Sequence, residues 1–113
     1  MRFPTLSFPA NFRESTLNAQ GGTLVIEDTT VTFRPHSFNF GQMAERKLNI
    51  ADIGGYSKGL LTFFSIWTAG GIEMRLVVGN KDLIIRELET RRRAIFESMG
   101  QQLPPLKYGN VKL

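Results

Sequence analysis

Cysteine is absent from all 113 residues, and histidine occurs once, at His36. The first absence excludes a disulfide framework, a thiolate metal site and a cysteine nucleophile, and it suits a reducing compartment. With a single histidine, no His/Cys/carboxylate spacing offers the three or four ligands of a metal site. His36 reads as a surface loop residue. Long apolar runs are missing too: the best candidate, Leu60 to Ala69, is interrupted by Thr62, Ser65 and Thr68 and is too short to span a bilayer. Met1 to Phe12 has neither the basic start nor the unbroken apolar core of a signal peptide, because Pro4 and Pro9 divide it. The expectation is a soluble, cytoplasmic protein, peripheral at a membrane at most.

Catalytic signatures are equally scarce. No G-x-S-x-G, G-x-G-x-x-G or P-loop lysine occurs, so Gly54-Gly55 and Gly70-Gly71 read as turns, not phosphate cradles. The carboxylates Glu27, Asp28, Glu45, Asp52 and Glu73 are scattered, and no acid/base pair can be named among them. Neither a catalytic residue nor a cofactor is indicated, and the expectation is a non-enzymatic chain.

What is present is β pattern. Gly22 to Glu27 and Thr30 to Arg34 are β-branched runs around an Asp28-Thr29 turn, with Leu24, Ile26, Val31 and Phe33 alternating toward one face. Pro35 removes a ladder donor and ends the second run. Strand character returns at Lys47 to Ile50. Ala51 to Gly55 reads as a break, with a short strand from Tyr56 to Lys58. Leu61 to Trp67 is the most β-prone run; Ala69-Gly70-Gly71 turns it into Ile72 to Val78, where Ile72, Met74, Leu76 and Val78 share a face. Residues Phe8 to Leu17 supply a further strand.

After Gly79 the period changes from two to about three and a half, the helical spacing. Asn80 reads as the N-cap, Asp82 lies in the first turn, and Gly100 stands at the C-terminal capping position. Ile84, Ile85, Leu88, Ile95, Phe96 and Met99 fall on one side of the projection. Hairpins of short strands followed by one amphipathic helix predict an α+β fold: a small antiparallel β-barrel or sandwich of about seven strands, capped by a C-terminal α-helix. The chain reads as a single domain over 1–113, with its core at about 12–99 and an extended tail at 101–113, docked through Leu103 and Leu106.

This pattern resembles the GRAM and wider pleckstrin-homology-like (PH-like) domains, including small bacterial members. The resemblance rests on Gly22-x-Leu24-x-Ile26, Val31-x-Phe33-x-Pro35, Leu48-x-Ile50-x-Asp52-Ile53, the hairpin about Gly70-Gly71 and the closing helix. It implies a partly open barrel that binds lipid head groups, peptides or proteins without catalysis. Domains of this group that grip phosphoinositides place cations around the loop joining their first two strands. Here that loop reads as Asn18 to Gly22, which holds no lysine or arginine, so that site is not carried over.

Two surfaces remain as candidates. The Leu61 to Trp67 strand is apolar on both faces, with Phe64 and Ile66 on one and Leu61, Phe63 and Trp67 on the other. Either the second face is covered by the amino-terminal segment (Phe3, Phe8, Phe12) or the tail, or Leu61, Phe63 and Trp67 contact a protein partner or a second copy in a homo-oligomer. The second candidate is basic: net charge is +4, from 14 basic and 10 acidic residues, and Arg91-Arg92-Arg93 is the one charge run. Either the Arg91 and Arg92 stems lie along the barrel rim, or Lys58, Arg91, Arg92 and Arg93 attach the protein to an anionic membrane or a phosphate-bearing partner. The basic residues are not interleaved with aromatics in any recognised motif, which argues against nucleic acid.

Overall fold

The computed structural model describes residues 3–13, 19–36, 45–60 and 62–110. In chain order the elements are β1 (Leu6–Arg13), β2 (Ala19–Ile26), β3 (Thr30–Pro35), β4 (Arg46–Asn49), a 3₁₀ turn (Ile50–Asp52), β5 (Ile53–Lys58), β6 (Phe63–Thr68), β7 (Glu73–Val78), α1 (Lys81–Ser98) and β8 (Lys107–Asn110). The eight strands form one sheet in the order β4-β3-β2-β1-β7-β6-β5-β8. Every pair is antiparallel except β5 with β8. The sheet curls but does not close, since β4 and β8 are its two ends.

The two expected hairpins are present. Leu24 faces Phe33 and Ile26 faces Val31 across β2 and β3, so these four residues form one buried patch. Trp67 faces Glu73 and Phe63 faces Val77 across β6 and β7. The turn between them places Gly71 at φ +97°, a left-handed conformation that favours glycine.

Inward residues from seven strands meet in one core: Ala10 and Phe12, Leu24 and Ile26, Val31 and Phe33, Leu48, Tyr56, Phe64 and Ile66, and Met74, Leu76 and Val78. Ile84, Ile85 and Leu88 of α1 close it, and the helix packs against the 3₁₀ turn beyond the far end of β4. Removing a side chain such as Leu88, which has no exposed surface, costs about 2–5 kcal/mol through lost burial and the cavity left behind. Among the described residues no helix is long and apolar enough to cross a membrane.

Several local expectations are corrected. Gly54-Gly55 is not a turn: it lies within β5, and the 3₁₀ turn makes the break instead. Gly55 has a packing reason, because a Cβ there would run into the Trp67 ring and the Lys107 carbonyl. The connection between the first two strands is 14–18, since Ala19 to Gly22 belong to β2. That connection, Asn18 included, lies outside the described residues, as do Leu61 and most of the loop between Pro35 and Glu45 with Phe38 and Phe40. Asn80 is the N-cap but makes no side-chain capping bond; its carbonyl receives the Ile84 N–H. Ile72 and Met99, placed on apolar faces by periodicity, are 61% and 48% exposed because each lies one residue outside its element. The tail adds an eighth strand: Gly100 turns at φ +66°, Leu106 packs against the core, and Lys107–Asn110 pair with β5.

Candidate functional site

The two central arginines of the 91–93 run are buried, with 0% and 1% exposure. Helical spacing puts both on the inner flank of α1, and each holds a carboxylate and a main-chain carbonyl through its two Nη groups, while its Nε is buried without a partner among the described residues. Arg91 Nη1 donates to the Glu87 carboxylate at 3.0 Å, its Nη2 donates to the Pro4 carbonyl, and the guanidinium lies over the Phe3 ring at 5.0 Å. Arg92 Nη1 donates to Glu89 at 3.1 Å and its Nη2 to the Pro104 carbonyl. Glu89 also accepts the Tyr56 hydroxyl at 2.7 Å. Burial, and then that hydrogen bond to an anion, push the Tyr56 pKa well above its ordinary value. These arginines are therefore ties, one to the amino-terminal segment and one to the tail. As surface anion contacts they are corrected, because a guanidinium already neutralised in the interior has no free face to offer.

Lys58 and Arg93 are exposed. Lys58 pairs with Asp82 at 2.8 Å, and this hydrogen bond and charge hold the Asp82 carboxyl below its usual range. The aromatic strand is less open than alternation suggests. Phe63 is partly buried, and the Arg13 guanidinium lies over its ring at 4.2 Å. Trp67, also partly buried, donates its indole N–H to the Ser57 hydroxyl at 3.2 Å. Phe63 and Trp67 share the outer face of β6, but they do not form a bare apolar plane.

A different group of cations converges where β1 ends and β4 and β7 begin. Phe12, Arg13, Arg46, Glu73 and Arg75 line an open pocket of ≈ 440 Å³ at this mouth of the sheet. Arg13 is only 7% exposed, and its Nη1 is buried without a hydrogen-bond partner among the described residues. Arg46 lies 5.6 Å over the Phe12 ring and has no carboxylate partner among the described residues. Ring stacking holds both guanidiniums while using none of their N–H donors. Arg75 shares Glu73 with the Ser65 hydroxyl, through bonds of 2.8 and 3.1 Å. Among the described residues, three guanidiniums thus face one carboxylate that is already engaged. This arrangement suits an oxyanion with several acceptor oxygens, because an unpartnered buried donor gains most from a charged acceptor. Among the described residues no group of three or more His, Asp or Glu side chains could hold a metal ion.

The sequence reading missed this site. Its cations come from three strands far apart in the chain, and the loop named as cation-free was placed a few residues too late, beyond Arg13. The legible signal was Arg13 at the foot of the first connection, but no local pattern joins it to Arg46 or Arg75.

The chain matches no family model and no curated protein sequence. Solved structures do resemble it. The PH domain of human oxysterol-binding protein-related protein 11 superposes with a TM-score of 0.69 at 12% identity, covering 88% of this chain and 89% of that one. The amino-terminal PH domain of human ARAP2 gives 0.60 at 6% identity, with 96% and 93% covered. The carboxy-terminal domain of an unknown protein from Leishmania infantum gives 0.65 at 14% identity, with 81% and 85% covered. At such identities the likeness defines the fold: an α+β, PH-like sheet with a C-terminal helix.

Proposed function

We propose that this chain is a non-catalytic binding module of PH-like or GRAM-like type, whose mouth takes a phosphate-bearing anion. The observation that carries the reading is Arg13: a nearly buried guanidinium whose Nη1 has no partner among the described residues, in a pocket shared with Arg46 and Arg75. An interior cation with no counter-charge is costly, and a bound anion relieves that cost. PH domains among the structural neighbours fit a binding role of this general kind. The reading keeps an anionic partner but moves the contact from the helix to the mouth, leaving Lys58 and Arg93 as distant charges that add to long-range attraction.

Isothermal titration of the protein with pyrophosphate at low salt tests the reading. Saturable binding is expected, weakened about tenfold or more by Arg13→Met and by Arg46→Gln, since each removes a charge-assisted contact. Arg93→Gln, remote from the pocket, should leave it unchanged. Binding that ignores Arg13→Met, or no saturable binding at all, would overturn the assignment.

A further inference from the structure

A second concavity lies at the seam where the sheet fails to close. Consecutive residues Lys47, Leu48 and Asn49 of β4 form one side of a groove of ≈ 740 Å³, and Pro104, Pro105 and Lys107 of the tail lie across it. Ile53, Gly54, Trp67 and Thr68 also line it, as do the 3₁₀ residues Ala51 and Asp52 and the turn from Ala69 to Ile72. Among the described residues β4 pairs only with β3, so its second edge is left open beside this groove. Such an edge can accept an added strand, with main-chain bonds supplying affinity and the flanking side chains selecting the partner.

We infer that this seam is a docking site for an extended, acidic segment of a partner protein, laid along β4. Charge selects the occupant. Lys47 and Lys107 stand on the two sides of the groove, both exposed. Arg92 is neutralised by Glu89, and Asp52 is the one carboxylate among the described lining residues. A second copy of this chain is disfavoured at the same edge. A second β4 would add its own Arg46 and Lys47 to a groove already flanked by Lys47 and Lys107, and like charges gathered there repel. An acidic strand meets opposite charge on both sides, and its apolar residues find Ile53, Pro104 and the partly buried Trp67. The aromatic contact expected at Trp67 thus acquires a shape: the indole lines a groove instead of standing on a flat face. None of the mouth arginines lines the groove, so the peptide test reads a different surface from phosphate binding.

Amide and indole chemical shifts of the full ¹⁵N-labelled chain report on the site directly. The probes are two capped hexapeptides, one of alternating valine and glutamate and one of alternating valine and lysine. The acidic peptide should produce saturable shifts at Lys47, Leu48, Asn49 and the Trp67 indole, and the basic one none. Reversing Lys47→Glu with Lys107→Glu should weaken the acidic peptide about tenfold, with Lys47→Gln giving a smaller loss at an exposed position where folding is not at stake. Equal response to both peptides, shifts confined to other regions, or no saturable shift would overturn the inference. So would light scattering that shows a dimer lost on Lys47→Glu, because a second copy would then own the edge.

Discussion

On α1, Arg91 and Arg92 each hold a carboxylate and a main-chain carbonyl. At the mouth, Arg13 and Arg46 rest on aromatic rings with no carboxylate partner among the described residues. The residue type is the same in both places and the burial of Arg13 is not far from that of Arg91, yet the employment is opposite. The helix arginines sit where two extended segments must be fastened, and their charge is cancelled locally. The mouth arginines sit where three strands terminate, and their charge is left over. The lesson is that an arginine run is a poor guide to a binding surface. What distinguishes a tie from a receptor is whether the guanidinium already holds a carboxylate.

Mutations can sharpen or break that contrast. The largest effect is expected on the helix. Arg92→Ala leaves Glu89 partly buried beside a cavity and releases the tail, and Arg91→Ala does the same to Glu87 and the amino-terminal segment. Each should lower the unfolding free energy in urea by about 3–5 kcal/mol. A loss below about 1 kcal/mol, the range of exposed ion pairs, would remove the distinction between the two sets.

A smaller effect concerns Tyr56, which joins the same network. Its folded pKa is raised, so the unfolded chain loses the hydroxyl proton first. The stabilisation is therefore fully present below the ordinary tyrosine value of about 10 and is lost as pH rises above it. Tyr56→Phe should cost about 1–2 kcal/mol at neutral pH through the missing hydrogen bond. It should also flatten the decline of the urea midpoint between neutral and strongly alkaline pH. A variant with the same alkaline slope as the parent would show that another group controls it.

The smallest effect belongs to the mouth, and its sign is the informative part. Arg13→Met removes a nearly buried charge that has no carboxylate partner among the described residues, while keeping much of the contact with Phe63. Stability should stay within about 0.5 kcal/mol of the parent or rise slightly, even as pyrophosphate binding falls. A substantial loss of stability would instead make Arg13 a structural residue like Arg91.

Both hairpins and the helix were legible because their signals are local. Alternation at Leu24, Ile26, Val31 and Phe33 depends only on neighbours two residues away, and the Asp28-Thr29 and Gly70-Gly71 turns depend on their own backbone preferences. Periodicity misled only where it ran past an element's end, at Ile72 and Met99. The glycine pair at 54–55 was misread because glycine usually punctuates, whereas here Gly55 makes room for a tryptophan ring and the carbonyl of a strand from the other end of the chain. β8 had no sequence signature: it is four residues long, follows two prolines and pairs in parallel with β5. The seam groove was illegible for the same reason, since one of its sides is that tail.

The sequence by itself determined the succession of strands, the limits of the helix, the inward residues of most strands and the net positive charge, because each follows from spacing of two or about three and a half residues or from simple counting. Tertiary structure decided which arginines are ties, which of them and which strand edge stay without a partner among the described residues, and that the tail becomes a strand. Those outcomes depend on acceptors such as the Pro4 and Pro104 carbonyls, the first lying 87 residues from the arginine it binds. No local pattern encodes a contact that only folding brings within hydrogen-bonding distance.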